Sequence, residues 1–277
     1  MKVIRTIKEM QAQSKAWTRA GETIALVPTM GALHAGHLSL MQLAKSKADR
    51  VIATIFVNPT QFAPGEDLSA YPRTFEADRL ACEKEGVDVI FFPEVDEMYD
   101  ATSSTWVTEE KVSQGLCAHA RPTHFQGVTT VVATLFNITL PDYAVFGEKD
   151  YQQLQVLTRM VRDLNFPIEV LPGALIREES GLAMSSRNKY LTDDEKERAT
   201  VLSRSLREAQ QQLQEESMDA EDLIAVVKDK ITEAGGEVDY VEIRHRETLE
   251  TLTASINSQS AARMILAATF GAARLLD

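Results

Sequence analysis

The stretch Val27-Pro28-Thr29-Met30-Gly31-Ala32-Leu33-His34-Ala35-Gly36-His37 constrains this chain more than any other. Ile24 to Val27 is a continuous apolar run, the pattern of a buried strand; Pro28 and Gly31 interrupt it, and Leu38 to Ala44 carries helical spacing. The two histidines therefore fall in a strand-to-helix turn. Such a turn is expected to aim free backbone N–H groups and the positive end of a helix at one spot, while Gly31 and Gly36 admit an anion close to the backbone. His34 and His37 are three apart, so a helix that begins by His34 sets both rings on one face. One ring would hold a phosphate oxygen and the other would meet charge developing at phosphorus. A pair of surface or capping histidines is the other reading of H-x-x-H, and it weakens because two of only five histidines share this one glycine-bearing turn. The spacing is neither the P-loop nor G-x-G-x-x-G.

Composition narrows the partners. The formal charge of -12 disfavours a long polyanion, so nucleic acid is not an expected partner, while a small anion held by local cations remains open. Cys82 and Cys117 form no C-x-x-C, and with no leader in the sequence they are expected to be buried thiols in the cytoplasm. No apolar run approaches the roughly 18 residues of a membrane span, so a membrane is not expected either. At 277 residues, two domains are favoured.

Taken in order, residues 3–20 carry helical spacing and Gly21 ends them. Arg50 to Val57 is β-branched and continuous, which places Asn58 and Gln61 at the carboxyl end of a parallel strand, where open α/β sheets bind ligands. A turn that Asn and Pro simply favour is the other reading. Thr74 to Glu85 reads as a helix and Val87 to Phe92 as a strand; residues 98–126 are a semi-regular insertion suited to covering a site, and a helix follows from about Val128 to Ile138. After a strand from Pro141 to Phe146 come Gly147, Glu148, Lys149 and Asp150, a second strand-to-helix junction. There Lys149 would meet a triphosphate and Asp150 a ribose hydroxyl or metal-bound water, with Gln153 one turn in; an exposed lysine beside an acidic turn is the alternative. Ile168 to Leu171 closes the first domain, residues 1–175. Met184-Ser185-Ser186-Arg187, after Gly181, suits either a mobile phosphate-gripping loop or a linker. Residues 176–277 read as a smaller α/β domain with one helix from Thr192 to about Glu216, opened by a capping box, a second from Asp219 to Ala234, and strands at Val238–Ile243 and Met264–Ala268.

Four of these segments together, Val27 to His37, Phe56-Val57-Asn58-Pro59-Thr60-Gln61-Phe62, Gly147 to Gln153 and Gly181 to Asn188, resemble the pantoate–β-alanine ligases (pantothenate synthetases) of the nucleotidyltransferase superfamily with an H-x-G-H-type signature. Tyr71-Pro72-Arg73-Thr74 and the region around Phe125 to Val128 agree as well. The resemblance implies a Rossmann-like parallel sheet, a small C-terminal lid and a homodimer. It also implies ATP and Mg²⁺-dependent joining of pantoate to β-alanine through pantoyl adenylate, releasing AMP and pyrophosphate. By matching position it implies that Met30, Gly31, Ala32, Leu33, His34, Ala35, Gly36 and His37 line the ATP site with Gly147, Glu148, Lys149, Asp150, Ile176, Met184, Ser185, Ser186 and Arg187. His37, His34, Lys149 and Arg187 would be catalytic, and Gln61, Gln153 and Asn58 would hold the substrates. No metal ligand and no general base for the amine is singled out. One departure from the resemblance stands at Arg121-Pro122-Thr123-His124, where the family commonly has Gly between Pro and His, so that an extra Cβ would stiffen or shift the loop.

Three other classes fit less well. An aminoacyl-tRNA synthetase would want a tRNA-binding appendage, a nicotinamide oxidoreductase would want G-x-G-x-x-G after the first strand, and a non-catalytic nucleotide module would not need Gln61, Lys149 and Arg187. Another small-molecule adenylyltransferase of the same superfamily is the nearest alternative.

Overall fold

A computed structural model describes residues 1–277. Two compact units emerge, Met1–Glu148 with Gln152–Ala174, and Lys149–Tyr151 with Leu175–Asp277.

The first unit runs β1 (Lys2–Ile4), α1 (Ile7–Arg19), β2 (Ile24–Thr29), α2 (Ala35–Lys47), β3 (Arg50–Ile55), α3 (Phe75–Lys84), β4 (Val89–Phe91), α4 (Val95–Met98), α5 (Cys117–Ala120), α6 (His124–Thr139), β5 (Tyr143–Gly147), α7 (Tyr151–Asp163) and β6 (Glu169–Gly173). Its six strands are all parallel in the order β1-β4-β3-β2-β5-β6. Ala25, Val27, Val51, Ala53 and Val145 bury one face beneath Leu40, Met41 and Ala44 of α2, while the alternate residues Ile24, Leu26 and Ile52 are equally inaccessible on the other. Burial on both faces is why these strands read as unbroken apolar runs. Each fully buried Leu or Ile contributes about 1.5–3 kcal/mol relative to exposure, so the sheet is a stiff platform for whatever leaves its edge.

The chain winds from β2 outward through β3 to β4, then returns to place β5 on the other side of β2. That reversal makes the carboxyl ends of β2 and β5 the point where an open α/β sheet forms its ligand crevice. Pro28 is tolerated inside β2 because pairing with β5 involves only Ala25 and Leu26, so the missing N–H breaks no ladder bond there.

Two expectations for this unit are corrected. Residues 3–20 are not one helix: Lys2–Ile4 pair with Val89–Phe91 as an edge strand, so the strand before the histidines is the second. The helix expected from about Val128 begins at His124, and Gly127 inside it is required by packing. A Cβ there would lie 2.5 Å from the carbonyl oxygen of Thr60.

In the second unit α8 (Asp193–Ala199), α9 (Val201–Glu215) and α10 (Ala220–Glu233) share a core with an antiparallel sheet of β7 (Glu237–His245), β8 (Ala262–Phe270) and β9 (Ala273–Leu276). The single helix expected from Thr192 divides at Thr200, whose N–H and hydroxyl both turn back to the carbonyl of Glu197 at 3.1 and 2.7 Å. That tight i to i+3 bond ends one helix and starts another. The capping box is present: Thr192 Oγ1 accepts from Glu195 N and Glu195 Oε2 from Thr192 N. The short β9 was not anticipated and exists through its pairing with β8.

Candidate active site

Three connections leave neighbouring strands at one edge of the first unit: the histidine turn after β2, residues 58–61 after β3, and Glu148 after β5. The histidine turn is tightly wound. Gly31 and Ala32 both take positive φ, 82° and 51°. His34 caps α2 with φ -136°, and its Nδ1 accepts from Gly36 N at 3.2 Å, while His37 Nδ1 accepts from His34 N at 3.4 Å. The capping reading of the H-x-x-H pair is seen directly, and the two rings also lie together, centroids 4.1 Å apart. Because each Nδ1 accepts, each neutral ring carries its proton on Nε2, the donor a phosphoryl oxygen needs.

The expectation of free backbone N–H groups in this turn is corrected. Gly31 N donates to Thr29 Oγ1 at 3.2 Å, and the N–H groups of Ala32 and Leu33 donate to the two carboxylate oxygens of Asp78 at 3.0 and 2.8 Å. Asp78 lies on α3 and is buried. Sequence reasoning missed it, because an acidic residue in the first turn of a helix ordinarily signifies only the helix dipole.

Asn58 caps a single turn of 3₁₀ helix, Pro59–Gln61, and its amide is fully engaged. Nδ2 donates to Gln61 Oε1 at 3.1 Å and to Gly127 O at 3.2 Å, while Oδ1 accepts from Thr60 Oγ1 at 2.9 Å and from the hydroxyl of Tyr99 at 3.0 Å. Burial pushes the Tyr99 hydroxyl above its ordinary pKa, which keeps it a donor. With Oε1 tied to Asn58, the NH₂ of the buried Gln61 reaches Met30 Sδ at 3.3 Å, beside the start of the histidine turn. The backbone of Gln61 is also held: its carbonyl oxygen is 2.8 Å from His124 Nδ1 and accepts from Arg121 at 3.1 Å, and Arg121 in turn pairs with Glu66. Arg121, His124 and Gly127 thus brace the Asn58–Gln61 turn from behind.

Beyond β5, Lys149 Nζ stands 3.6 Å from Asp150 Oδ1. The neighbouring Gln152 is buried and bonded to residues 112–117, which leaves the half-buried Gln153 as the polar side chain of that turn. Tyr151 anchors Lys149–Tyr151 in the second unit: its hydroxyl donates to Arg246 O at 2.6 Å, and the Arg263 guanidinium lies 4.0 Å from its ring centroid.

Within the second unit, residues 176–188 form a tied turn rather than a linker. Arg177 pairs with Ala183 as an isolated bridge, Met184 N donates to Ile176 O at 3.0 Å, and Arg177 forks onto the carboxylate of Asp277. Ser185 caps a 3₁₀ turn, Ser186–Tyr190, by accepting from Arg187 N at 3.2 Å. No group of three or more His, Cys, Asp or Glu side chains converges to hold a metal ion, and no helix is long and apolar enough to cross a membrane.

A family model described as pantoate-beta-alanine ligase matches residues 2–277. The chain belongs to that family. The pantothenate synthetase of Geobacter sulfurreducens is 47% identical over 282 residues, covering 100% of this chain and 97% of that one; that of Caldicellulosiruptor bescii is 44% identical over 278 residues, covering 100% and 98%. The crystal structure of pantothenate synthetase from Thermus thermophilus superimposes with a TM-score of 0.92 at 42% identity, covering 100% and 98%. The pantoate-beta-alanine ligase of Francisella tularensis, solved in complex with beta-gamma ATP and beta-alanine, gives 0.83 at 32% identity, covering 100% and 96%. Thr123 stands at the N-cap position of α6 with φ -98° and ψ -2°, a conformation any L residue adopts.

Proposed function

We propose that this pantoate–β-alanine ligase makes pantothenate from pantoate, β-alanine and ATP in two steps. The carboxylate of pantoate attacks the α-phosphorus of ATP and pyrophosphate leaves; the amine of β-alanine then attacks the acyl carbon of pantoyl adenylate, AMP leaves, and the amine gives up a proton. The observation that carries this is the oriented pair of imidazoles at the sheet's reversal point, beside a Gln61 whose amide is fixed between Asn58 and Met30. Holding a weak nucleophile in line with phosphorus is a positioning problem worth about 7–11 kcal/mol when the geometry is near attack. Gln61 and Gln153 hold the acid, and Asn58 acts through Gln61 because its own amide is spent. The Nε2–H groups of His37 and His34, with Lys149, Ser185, Ser186 and Arg187, meet charge growing on the phosphoryl oxygens. Met30–His37, Gly147–Asp150, Ile176 and Met184 line the nucleotide.

Magnesium, a small hard cation that keeps several waters and the substrate's phosphate oxygens as ligands, enters as part of the MgATP substrate. Residues 1–175 bind nucleotide and pantoate in this reading, and residues 176–277 form a lid that keeps the mixed anhydride from water. A homodimer and a cytoplasmic location belong to the same proposal; buried Cys82 and Cys117 thiols suit a reducing compartment.

Pyrophosphate release decides the matter. Pantoate, ATP and Mg²⁺ without β-alanine should give a burst bounded by the enzyme concentration, and β-alanine should convert it to turnover with AMP and pantothenate. Release that ignores pantoate, or none at all, would overturn the proposal, and an acid other than pantoate driving the burst would favour a different adenylyltransferase.

A further inference from the structure

We infer that Asp78 is a positioning residue for catalysis: its carboxylate occupies the anion-binding concavity of the histidine turn and thereby aims both imidazoles. This rests on the ligase reading above for its kinetic consequence, though not for its geometry. Two consecutive residues with positive φ, Gly31 and Ala32, curl the backbone so that successive N–H groups converge on one point. Such a nest is made for an anion. In this fold the anion is internal, since Oδ1 of Asp78 accepts from Leu33 N at 2.8 Å and Oδ2 from Ala32 N at 3.0 Å. Thr74 Oγ1 donates to Oδ2 as well, at 3.1 Å, and fixes the carboxylate from its own helix.

The clasp has a steric side. A Cβ on Gly31 would lie 3.0 Å from Asp78 Oδ2 and 3.1 Å from Ile55 Cγ2, so carboxylate and backbone are in close contact. Ala32 is an L residue held in the left-handed region, where its Cβ is disfavoured. Asp78 supplies the two bonds that hold it there. One residue beyond the clasp, His34 enters α2, so any relaxation of Ala32 and Leu33 is passed directly to the two rings. Phosphate is left to side chains, because a carboxylate already fills the nest.

The test uses Asp78→Asn in the full chain, which keeps the side chain's shape but turns an NH₂ group on one of the two N–H donors. The expected result is a fall of about 10- to 100-fold in kcat for pyrophosphate release, the scale of a small misplacement of catalytic groups, with KM for pantoate near its parent value. Adding Ala32→Gly should recover kcat several-fold, since glycine adopts positive φ without the clasp. Formate should partly restore Asp78→Ala by refilling the nest. In the absence of substrate, the ring ¹⁵N signals of His34 and His37 should move in Asp78→Asn while the circular dichroism stays native; this readout stands even if the chain proves to use another acid. Should Asp78→Asn lose its fold, Thr74→Val carries the same test with a smaller loss in the same direction. Parent-like kcat in folded Asp78→Asn would overturn the inference. So would a loss that neither Ala32→Gly nor formate relieves, with unmoved imidazole signals.

Discussion

The two turns assigned to the nucleotide in the proposed function, residues 29–37 and residues 176–188, each carry polar side chains on a tight bend ahead of a helical turn, yet they are supported in opposite ways. The first is clasped by a buried carboxylate from α3, 45 and 46 positions away in sequence. The second is tied mainly to its own neighbours: Met184 to Ile176, Ser185 to Arg187, and Asn188 Nδ2 to Glu178 Oε1 and to Ala183 O. Its long-range ties stay within the second unit: Arg177 forks onto the nearly buried carboxylate of Asp277, and Leu182 is buried in that unit's core. A long-range buried clasp fixes direction before substrate arrives, which is what transition-state stabilisation demands. The second turn, braced by hydrogen bonds mostly to near neighbours, is the one the proposed reaction assigns to holding the intermediate.

If that contrast is right, substitutions in the two turns should fail differently. His37→Ala should cost the most, two to three powers of ten in kcat for adenylate formation, the usual loss for one preorganised electrostatic donor. A small loss would break the comparison at its stronger end. Gln61→Ala should weaken pantoate binding and slow the chemistry together. Gly127→Ala would reach the same group from behind: its Cβ must displace the Thr60 backbone, so we expect about 1–3 kcal/mol of destabilisation in urea and a raised KM for pantoate. Arg187→Ala should leave pyrophosphate release closer to normal while letting pantoyl adenylate escape or hydrolyse faster without β-alanine, as read by quenching and chromatography. Equal losses in both half-reactions would erase the distinction between the turns.

The smallest effect concerns Cys82 behind the clasp. Burial first, and the nearby Asp78 charge second, push its thiol from 9.0 up to about 12. The folded state thus resists giving up this proton, whereas the unfolded chain loses it near its ordinary pKa. Stability from this group is therefore constant below about 9 and declines as pH rises toward 12. Urea midpoints across that range should fall less steeply for Cys82→Ala than for the parent.

Much of this was legible in residues alone. The apolar runs at Ile24–Val27 and Arg50–Val57, the helical spacing after Tyr151, and the Thr192–Glu195 capping box are local patterns, and local patterns survive translation into structure. The helix α6 starts at His124, four residues before the sequence spacing places it, and Gly127 within it serves a close approach to Thr60 that only the folded chain contains.

By itself the sequence determined the α/β alternation, the order of the motifs and the family, since these depend on periodicity and on residues adjacent in the chain. Tertiary structure alone decided that Lys2–Ile4 and Ala273–Leu276 are strands, that Asn58 is spent on Gln61, and that Asp78 fills the nest where a phosphate was expected. A three- or four-residue strand has no stability without its partner, and a carboxylate acquires its role only from the N–H groups that folding brings to it.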